Sequence, residues 1–173
     1  MLVLSQIFTD RLLLITCSLD LAKSIILHRK LLEERSPVEI PEDWPSIELK
    51  NILPYYIEML EKAPNEQCMQ IWLVIDSCNR KIIGTVICKA MPEENYSLDL
   101  GYEIISSCRN QGYGYEAVQA IVDWIFENNN IRKITAECDL HNTVSIRLLE
   151  KLGMCCIGKE APFLQWELNR EVI

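Results

Sequence analysis

The sequence lacks any apolar run long enough to cross a membrane, which requires about 18 consecutive apolar residues or more. Its opening segment, MLVLSQIF, also lacks the basic leading region of a secretion signal. Asp10 and Arg11 then interrupt the apolar pattern before the next leucines. We therefore expect a cytoplasmic protein that does not bind membranes.

Closely spaced pairs of metal-ligating residues are also absent. The eight cysteines form no C-x-x-C pair, and most lie within apolar segments. A zinc site needs ligands in close pairs, and a disulfide framework is typical of short secreted chains. We predict no metal site and interpret the cysteines as reduced, buried thiols that act as small hydrophobic side chains.

Positive charge is scarce. The 17 basic residues are outnumbered by 25 acidic ones, so the net charge is −8 with both histidines neutral. Nucleic-acid binding depends on a clustered basic surface that displaces counterions, so we expect no nucleic-acid partner. The acidic balance favours cationic partners such as amines, through weak electrostatic steering.

The length and composition are those of one soluble domain. The chain has 173 residues, of which 49% are apolar and 24% charged, which is ordinary for a globular protein. Domains of about 100–200 residues bury a sizeable core. We expect a single domain over residues 1–173.

Apolar spacing along the chain predicts alternating strands and helices. Ser18 is suited to cap the first helix, Pro54 is expected to kink or split the second, and Gly153 is expected to end the last. The Pro-rich segment 36–45 predicts a loop. The predicted strands are residues 9–17, 70–76, 81–90, 97–105, 131–139 and the closing segments CCIGK and FLQWEL. The first predicted helix begins at residue 18, and the others cover 46–62, 114–129 and 142–153. This order indicates an α/β fold with a mixed sheet of about seven strands and flanking helices.

The most informative residues lie between a predicted strand and a predicted helix, and we call residues 109–114 the phosphate loop. They are Arg109, Asn110, Gln111, Gly112, Tyr113 and Gly114. Glycine lets backbone amides approach a ligand closely, and the start of a helix offers unpaired N–H groups at the positive end of its dipole. Together these features predict a cradle for a phosphate or pyrophosphate, although a glycine-rich turn that merely starts a helix has the same appearance.

Three phosphate-binding patterns compete for this loop. No Gly-Lys-Ser/Thr follows, which excludes a P-loop. Residues 112–117 fit the dinucleotide pattern G-x-G-x-x-G/A, with Glu137 and Asp139 downstream. That fold turns almost directly from strand into the first glycine, whereas here the polar residues 106–111 intervene. The third pattern is Arg/Gln-x-x-G-x-G/A after a strand, which residues 109–114 also fit.

On this pattern the chain resembles the GNAT N-acetyltransferases, in their ribosomal-protein N-terminal acetyltransferase (RimJ/RimL-like) branch. RNQGYGYEA (109–117) is similar to the acetyl-CoA loop of that branch, and LGYEI (100–104) to the strand beside the cofactor. NTVSIRLLEKLGM (142–154) resembles the second signature of the family, and TDRLLL (9–14) its opening strand. The resemblance implies the acyl-CoA N-acyltransferase fold, with a mixed, mostly antiparallel sheet.

The resemblance also implies where acetyl-CoA binds. In this family two neighbouring strands splay apart around it, and the pyrophosphate lies on the loop matched here by residues 109–114. The backbone of Glu103, Ile104 and Ile105 is then expected to pair with the pantetheine arm like an added strand. An amide near Tyr102 or Glu103 is expected to polarise the acetyl carbonyl and stabilise the developing oxyanion.

By the same resemblance, Asn142 holds the pantetheine arm and Ser145 faces the sulfur, where it is the candidate to protonate the leaving thiolate. Many family members carry tyrosine as that acid at the position matched here by Leu149, which has no proton to donate. Asn142 is also suited to cap a helix, and Ser145 is equally well interpreted as an ordinary helix serine.

The general base is the least defined residue. Glu103 is the nearest acidic residue matched to the site, and it lies on the same strand face as Asp99. His141 in the following loop is the other titratable candidate, and all three are also interpretable as solvated surface residues. Making a lysine-like amine neutral at pH 7 costs about 4–5 kcal/mol, whereas an α-amine costs about 1 kcal/mol. A site without an obvious base therefore favours α-amines.

We predict an N-acetyltransferase that moves the acetyl group of acetyl-CoA to a primary amine by direct attack in a ternary complex. The acceptor is a protein N-terminus or a small-molecule amine, bound near residues 36–45 with Trp44, Tyr55 and Tyr56 as candidate lining residues. A homodimer is compatible with this interpretation. The alternatives are a non-catalytic acyl-CoA-binding or regulatory module on the same fold and, with less support, a dinucleotide-binding protein.

Overall fold

The computed structural model describes residues 5–63, 68–91, 94, 96–128 and 130–170. Its strands form one eight-stranded sheet in the order β1-β2-β3-β4-β5-β6-β8-β7. The strands are β1 (Gln6–Phe8), β2 (Leu12–Thr16), β3 (Met69–Asp76), β4 (Lys81–Ala90), β5 (Ser97–Ile104), β6 (Lys133–Asp139), β7 (Cys155–Glu160) and β8 (Phe163–Asn169). The helices are α1 (Leu19–Leu27), α2 (Arg29–Arg35), α3 (Ile47–Lys62), α4 (Tyr113–Asn128) and α5 (Thr143–Lys151).

The sheet is antiparallel except for the parallel pair β5 and β6. This confirms the predicted mixed, mostly antiparallel architecture. The described part of the chain has one strand more than predicted, because the N-terminal apolar segment pairs as β1 with β2, with Gln6 opposite Ile15. The predicted first strand, 9–17, begins only at Leu12, since Thr9 and Leu12 close the turn by a 3.0 Å backbone hydrogen bond.

The N-terminal helices differ in detail from the sequence prediction. The Ser18 side chain caps α1 by accepting from the Leu21 N–H at 3.2 Å, as expected. The helix then ends at His28, so α1 and α2 are separate. By contrast, α3 runs through Pro54 as one helix, and the predicted split does not occur. Its buried face packs against the sheet, and tertiary packing of this kind outweighs a single lost backbone hydrogen bond.

The helices cover the two faces of the sheet. Trp72 of β3 packs edge-on against Trp124 of α4, with ring centroids 5.1 Å apart. Thr85 of β4 accepts a 2.9 Å hydrogen bond from the Trp44 indole N–H before α3. Trp72 lies opposite Val86 in the ladder, so Thr85, one residue earlier, points to the other face. The α4 side and the α3 side of the sheet are therefore separate layers, both with buried apolar contacts.

The cysteines are only partly as predicted. All eight are free thiols. Cys17, Cys88 and Cys138 are buried, and burial raises the pKa of the Cys17 and Cys88 thiols to about 12. The prediction of burial is wrong for the exposed thiols, which lie at turns, loop ends and the outer strand β7: Cys68, Cys78, Cys155 and Cys156. Among the described residues, no helix combines the length and apolar character needed to span a membrane.

Candidate functional site

The sheet opens between its two parallel strands. β5 and β6 pair only from Ser97 opposite Lys133 to Asp99 opposite Thr135. Beyond these pairs, β5 continues to Ile104 and β6 to Asp139 without further pairing to each other. We call this divergence the β5–β6 opening. It leaves one backbone edge of the end of β5 outside any strand ladder.

The positions of two backbone groups identify which residues face the opening. A Cβ atom added to Gly84 of β4 would lie 2.3 Å from the Glu103 carbonyl oxygen, and the Ile105 N–H donates to the Ile83 carbonyl at 2.9 Å. Glu103 and Ile105 therefore direct their backbone groups toward β4. Because successive residues alternate between the two edges of a strand, Tyr102 and Ile104 direct theirs toward the opening.

This alternation corrects the predicted set of cofactor contacts. Pairing through the backbone of Glu103 and Ile105 is not available, because these groups face β4. The Ile105 carbonyl is also occupied, since it accepts from the Cys108 N–H at 3.0 Å. Ile104 keeps its predicted position at the open edge and is joined there by Tyr102. The sequence pattern located the strand that borders the opening but not which alternate residues direct their backbone groups into it.

The phosphate loop follows β5 after a short 3-10 turn and ends where α4 begins at Tyr113. Asn110 and Gly112 have positive φ angles of 59° and 81°, as in concave clusters of backbone N–H groups that bind anions. Gly114 sits tightly at the start of the helix, where an added Cβ would lie 3.2 Å from Leu148 and 3.5 Å from Ile104. The structure thus brings the loop, the end of β5 and α5 together.

Side chains from distant parts of the chain hold the loop in place. Arg11, in the turn between β1 and β2, donates to the Gln111 carbonyl at 3.0 Å and stacks over the Tyr113 ring at 4.3 Å. Its guanidinium also pairs with the Glu116 carboxylate at 2.6 Å. The Tyr113 hydroxyl donates to buried Asp76 at 3.1 Å. The loop is therefore anchored by β2 and β3 as well as by its own helix.

The pKa of the Glu116 carboxyl is lowered although the residue is partly buried. Burial acts to raise the pKa of this carboxyl, but hydrogen bonds from the Thr9 hydroxyl at 2.6 Å and from Arg11 outweigh it and lower the pKa. The carboxylate sits in the first turn of α4, where negative charge is favoured by the helix dipole. A cavity of about 490 Å³ lies beside Arg11 and Glu116 along the outer side of α4.

Asn142 and Ser145 begin α5 close to the opening. The Asn142 Oδ1 caps the helix by accepting from the Ser145 N–H at 3.1 Å, as predicted. The Ser145 hydroxyl approaches the Tyr102 hydroxyl of β5, which is buried and has no partner in hydrogen-bond geometry. Leu149 is fully buried at 0% exposure. The end of β5 and the start of α5 therefore present two hydroxyls beside the opening.

Glu103 lies on the α3 face of the sheet, beside Ser46, the N-cap residue of α3. Burial raises the pKa of this carboxyl above its usual value, against smaller lowering effects of hydrogen bonds from Ser46 and of the charge of Arg109. Its Oε1 atom is buried and has no hydrogen-bond partner. A half-buried carboxylate with one free oxygen is suited to accept a proton.

The same face carries an open space next to Glu103. Gly101 lies between Asp99 and Glu103, and an added Cβ there would meet no atom within 4 Å. A cavity of about 440 Å³ covers this position and is also lined by Tyr55 of α3 and Lys89 of β4. Asp99 is held by a 3.0 Å hydrogen bond from the Thr135 hydroxyl. The lining of this cavity includes Asp99 and Gly101 of β5, the strand that borders the β5–β6 opening.

The structure places the remaining predicted site residues in different environments. Trp44 and Tyr56 are buried in the core, with the Tyr56 hydroxyl donating to the Cys17 carbonyl at 2.7 Å, so of the three predicted lining aromatics Tyr55 alone lines the cavity. His141 is exposed in the loop before α5. Arg11 and the hydroxyl of Tyr102 are features of the candidate site that sequence reasoning missed, although the Tyr102 amide was predicted. The partner of Arg11 is 105 residues away in sequence, and no local pattern reports such a contact.

Comparison with known proteins agrees with this geometry. The model of the acetyltransferase (GNAT) domain family matches residues 11–155. YjdG, an uncharacterized N-acetyltransferase of Bacillus subtilis strain 168, is 30% identical over 124 residues, covering 72% of this chain and 74% of that protein. RimL, a ribosomal-protein α-N-acetyltransferase in complex with coenzyme A, has a TM-score of 0.70 at 16% identity, covering 95% of this chain and 98% of that one. MccE, a microcin self-immunity acetyltransferase in complex with acetyl-CoA and AMP, has a TM-score of 0.66 at 14% identity, covering 94% of both chains.

Proposed function

The chain belongs to the GNAT family of N-acetyltransferases, and from that premise we propose that it moves the acetyl group of acetyl-CoA directly onto a primary amine in a ternary complex. The observation that carries this proposal is the β5–β6 opening. A strand edge outside any ladder leads there from a glycine-containing loop at a helix N-terminus to a half-buried carboxylate. This arrangement matches an elongated substrate with a pyrophosphate at one end and a thioester at the other.

The site residues divide into those for acetyl-CoA and those for the reaction. The phosphate loop, Arg109 to Gly114, binds the pyrophosphate through backbone N–H groups and the positive end of α4. The pantetheine arm pairs with the open edge at Tyr102 and at the Ile104 N–H, since the Ile104 carbonyl accepts from the Arg109 side chain at 2.8 Å. The side chain of Asn142 lies on the other side of the arm. Acetyl-CoA is a co-substrate here, and its binding needs no metal.

The reaction is a direct displacement at the thioester carbonyl. A substrate ammonium first loses one proton to solvent, and the neutral amine then attacks. Glu103 takes a proton from the attacking nitrogen as it bonds to the carbonyl carbon, and the Tyr102 N–H stabilises the resulting oxyanion. The C–S bond then breaks with its electron pair on sulfur, and Ser145 donates its hydroxyl proton to that sulfur. The proton held by Glu103 returns through solvent to the Ser145 oxygen, so both side chains are restored.

The acceptor we propose is an α-amine, either a peptide N-terminus or a small molecule with an amine of similar pKa. It occupies the cavity over Gly101 and reaches the opening between Asp99 and Glu103, whose negative charge favours a cationic ligand. A single buried carboxylate is a modest base, and an α-amine costs about 1 kcal/mol to deprotonate at pH 7 against about 4–5 kcal/mol for a lysine side chain. The two ligand-bound structures compared above are named for different acceptors, one of them a ribosomal protein.

The test is the Glu103→Gln variant, assayed with acetyl-CoA and a short peptide bearing a free α-amine. Loss of the base is expected to lower kcat by about 100-fold or more, with the acetyl-CoA dissociation constant unchanged because the carboxylate faces away from the cofactor edge. Glu127→Gln, an exposed substitution at the end of α4, is the charge-matched control. Full activity of Glu103→Gln would overturn the assigned role.

The same assay tests acceptor class and mechanism. Varying both substrates should give intersecting double-reciprocal lines, as a ternary complex requires, whereas parallel lines would indicate an acetylated enzyme and contradict direct attack. An acetyl-lysine product formed faster than the N-terminal product at neutral pH would contradict the α-amine assignment.

A further inference from the structure

The buried hydroxyl of Tyr102 has no role in holding the fold together. Its Oη atom is inaccessible to solvent and lacks a hydrogen-bond partner. Leaving a buried hydroxyl unpaired costs free energy, so such groups usually have a partner in the functional state. Tyr102 is also the residue whose backbone faces the β5–β6 opening, which places the side chain beside the proposed thioester site.

The polar side chain that acts on this hydroxyl through hydrogen bonding is that of Ser145. Burial raises the pKa of Tyr102, and the Ser145 side chain acts in the opposite direction. The thiol of Cys138 on β6 also acts on Tyr102 by charge, raising its pKa further, and Cys138 itself accepts from the Trp166 indole N–H at 3.3 Å. Tyr102 thus stays protonated at neutral pH, as a donor directed at the start of α5.

A hydrogen bond from Tyr102 to Ser145 would set the direction in which the Ser145 hydroxyl donates its hydrogen. A serine hydroxyl has a single hydrogen to donate and can accept two more. The backbone N–H of Ser145 is already committed to Asn142 at 3.1 Å, which fixes the helix turn but leaves the hydroxyl free to rotate. A donor directed at the Ser145 oxygen orients the serine hydrogen away from itself, toward the opening.

We propose that Tyr102 is a positioning residue for acetyl transfer, donating a hydrogen bond to Ser145 so that the serine hydroxyl points at the thioester sulfur. Tyr102 and Ser145 together supply the proton for the leaving thiolate. A single tyrosine on α5 cannot do so here, because the position matched to that tyrosine is Leu149, which is fully buried. The inference rests on the proposed function and adds to it a second hydroxyl, supplied by the strand rather than by the helix.

The Tyr102→Phe variant tests the proposal. The ring is retained and the lost hydroxyl has no partner in hydrogen-bond geometry, so the melting temperature is expected to stay the same or to rise. We expect kcat to fall about 10- to 100-fold, the range for a hydrogen bond to a developing negative charge, while KM for acetyl-CoA and for the amine are unchanged. Tyr96→Phe, at an exposed tyrosine preceding β5, should behave as wild type.

A double-mutant cycle with Ser145→Ala separates positioning from other roles. If Tyr102 acts through Ser145, Ser145→Ala lowers kcat by itself and Tyr102→Phe has no further effect in that background. Wild-type kcat in either single variant, or losses that multiply in the double variant, would overturn the proposal. If wild type turns over and Tyr102→Phe is equally active, this inference alone is refuted. If wild type shows no turnover, the proposed function is refuted and this inference with it.

Discussion

Two glycines share one strained backbone conformation and differ in their surroundings. Gly112 in the phosphate loop and Gly153 after α5 both have φ of 81°. At Gly153 an added Cβ would meet nothing within 4 Å, and at Gly112 it would lie 3.4 Å from the Arg11 guanidinium. A non-glycine residue in this region costs about 1–2 kcal/mol, so the two positions are a matched pair.

At the residue scale we therefore predict that Gly112→Ala and Gly153→Ala each lower the free energy of unfolding by about 1–2 kcal/mol. Only Gly112→Ala should also weaken acetyl-CoA binding, by about tenfold or more, because its backbone amide belongs to the pyrophosphate cradle. Calorimetric titration of acetyl-CoA, beside chemical denaturation, measures both effects. Equal affinity in the two variants would mean that Gly112 is only a structural turn.

At the scale of elements, neighbouring strands each contain a glycine, one in close contact with the next strand and one beside open space. Gly84 of β4 is in close contact with β5, since an added Cβ would lie 2.3 Å from the Glu103 carbonyl oxygen and 2.7 Å from the Ile104 side chain. Gly101 of β5 has open space above it on the α3 face. The first glycine permits close packing of the strands and the second leaves room for the proposed acceptor.

This contrast predicts different results for the same substitution. Gly84→Ala is expected to lower the free energy of unfolding by about 1–3 kcal/mol, because β5 must move to relieve the overlap. Gly101→Ala should leave stability within about 0.5 kcal/mol of wild type and raise KM for the amine but not for acetyl-CoA. Thermal unfolding and two-substrate kinetics check both. An unchanged KM for the amine in Gly101→Ala would place the acceptor elsewhere.

How much the sequence predicted also depends on the element. Residues 81–90 form β4 as predicted, because a short apolar run rich in β-branched residues and preceded by a polar turn reports a strand directly. The sequence also located the glycine-containing loop before α4, because a glycine-rich turn at a helix start is a local pattern. It did not reveal that Tyr102 and Ile104, rather than Glu103 and Ile105, face the β5–β6 opening. Strand edges follow from register with a partner, and that register is set by packing across the whole sheet.

At the scale of the whole molecule, two carboxylates, one buried and one half-buried, link the phosphate loop to folding stability. Burial tends to raise the pKa of Asp76 and Glu116, but hydrogen bonds outweigh it and lower both pKa values. Asp76 accepts from the backbone N–H groups of Cys78 and Asn79, and Glu116 from Arg11. A carboxyl whose pKa is lowered by folding stabilises the protein above its ordinary pKa, and this stability is lost as pH falls through the lowered value.

We predict that Glu116→Gln lowers the free energy of unfolding at neutral pH and that its difference from wild type shrinks below about pH 4. Glutamine cannot pair with Arg11 as an anion, and it cannot be protonated at low pH as the Glu116 carboxylate is when that ion pair breaks. Urea denaturation at a series of pH values gives the comparison, with Glu127→Gln expected to follow wild type throughout. A constant difference between Glu116→Gln and wild type across the acid range would show that Glu116 does not contribute in its charged form.

The most direct test of the whole account is the fate of the acetyl group when protein, acetyl-CoA and an α-amine peptide are combined. Mass spectrometry of the peptide and thiol titration of released CoA measure the two products independently. We predict equal amounts of N-acetylated peptide and free CoA, formed at a rate that rises with peptide concentration. Tight binding of acetyl-CoA without CoA release that depends on an amine would contradict the account and indicate an acyl-CoA-binding module without catalytic activity.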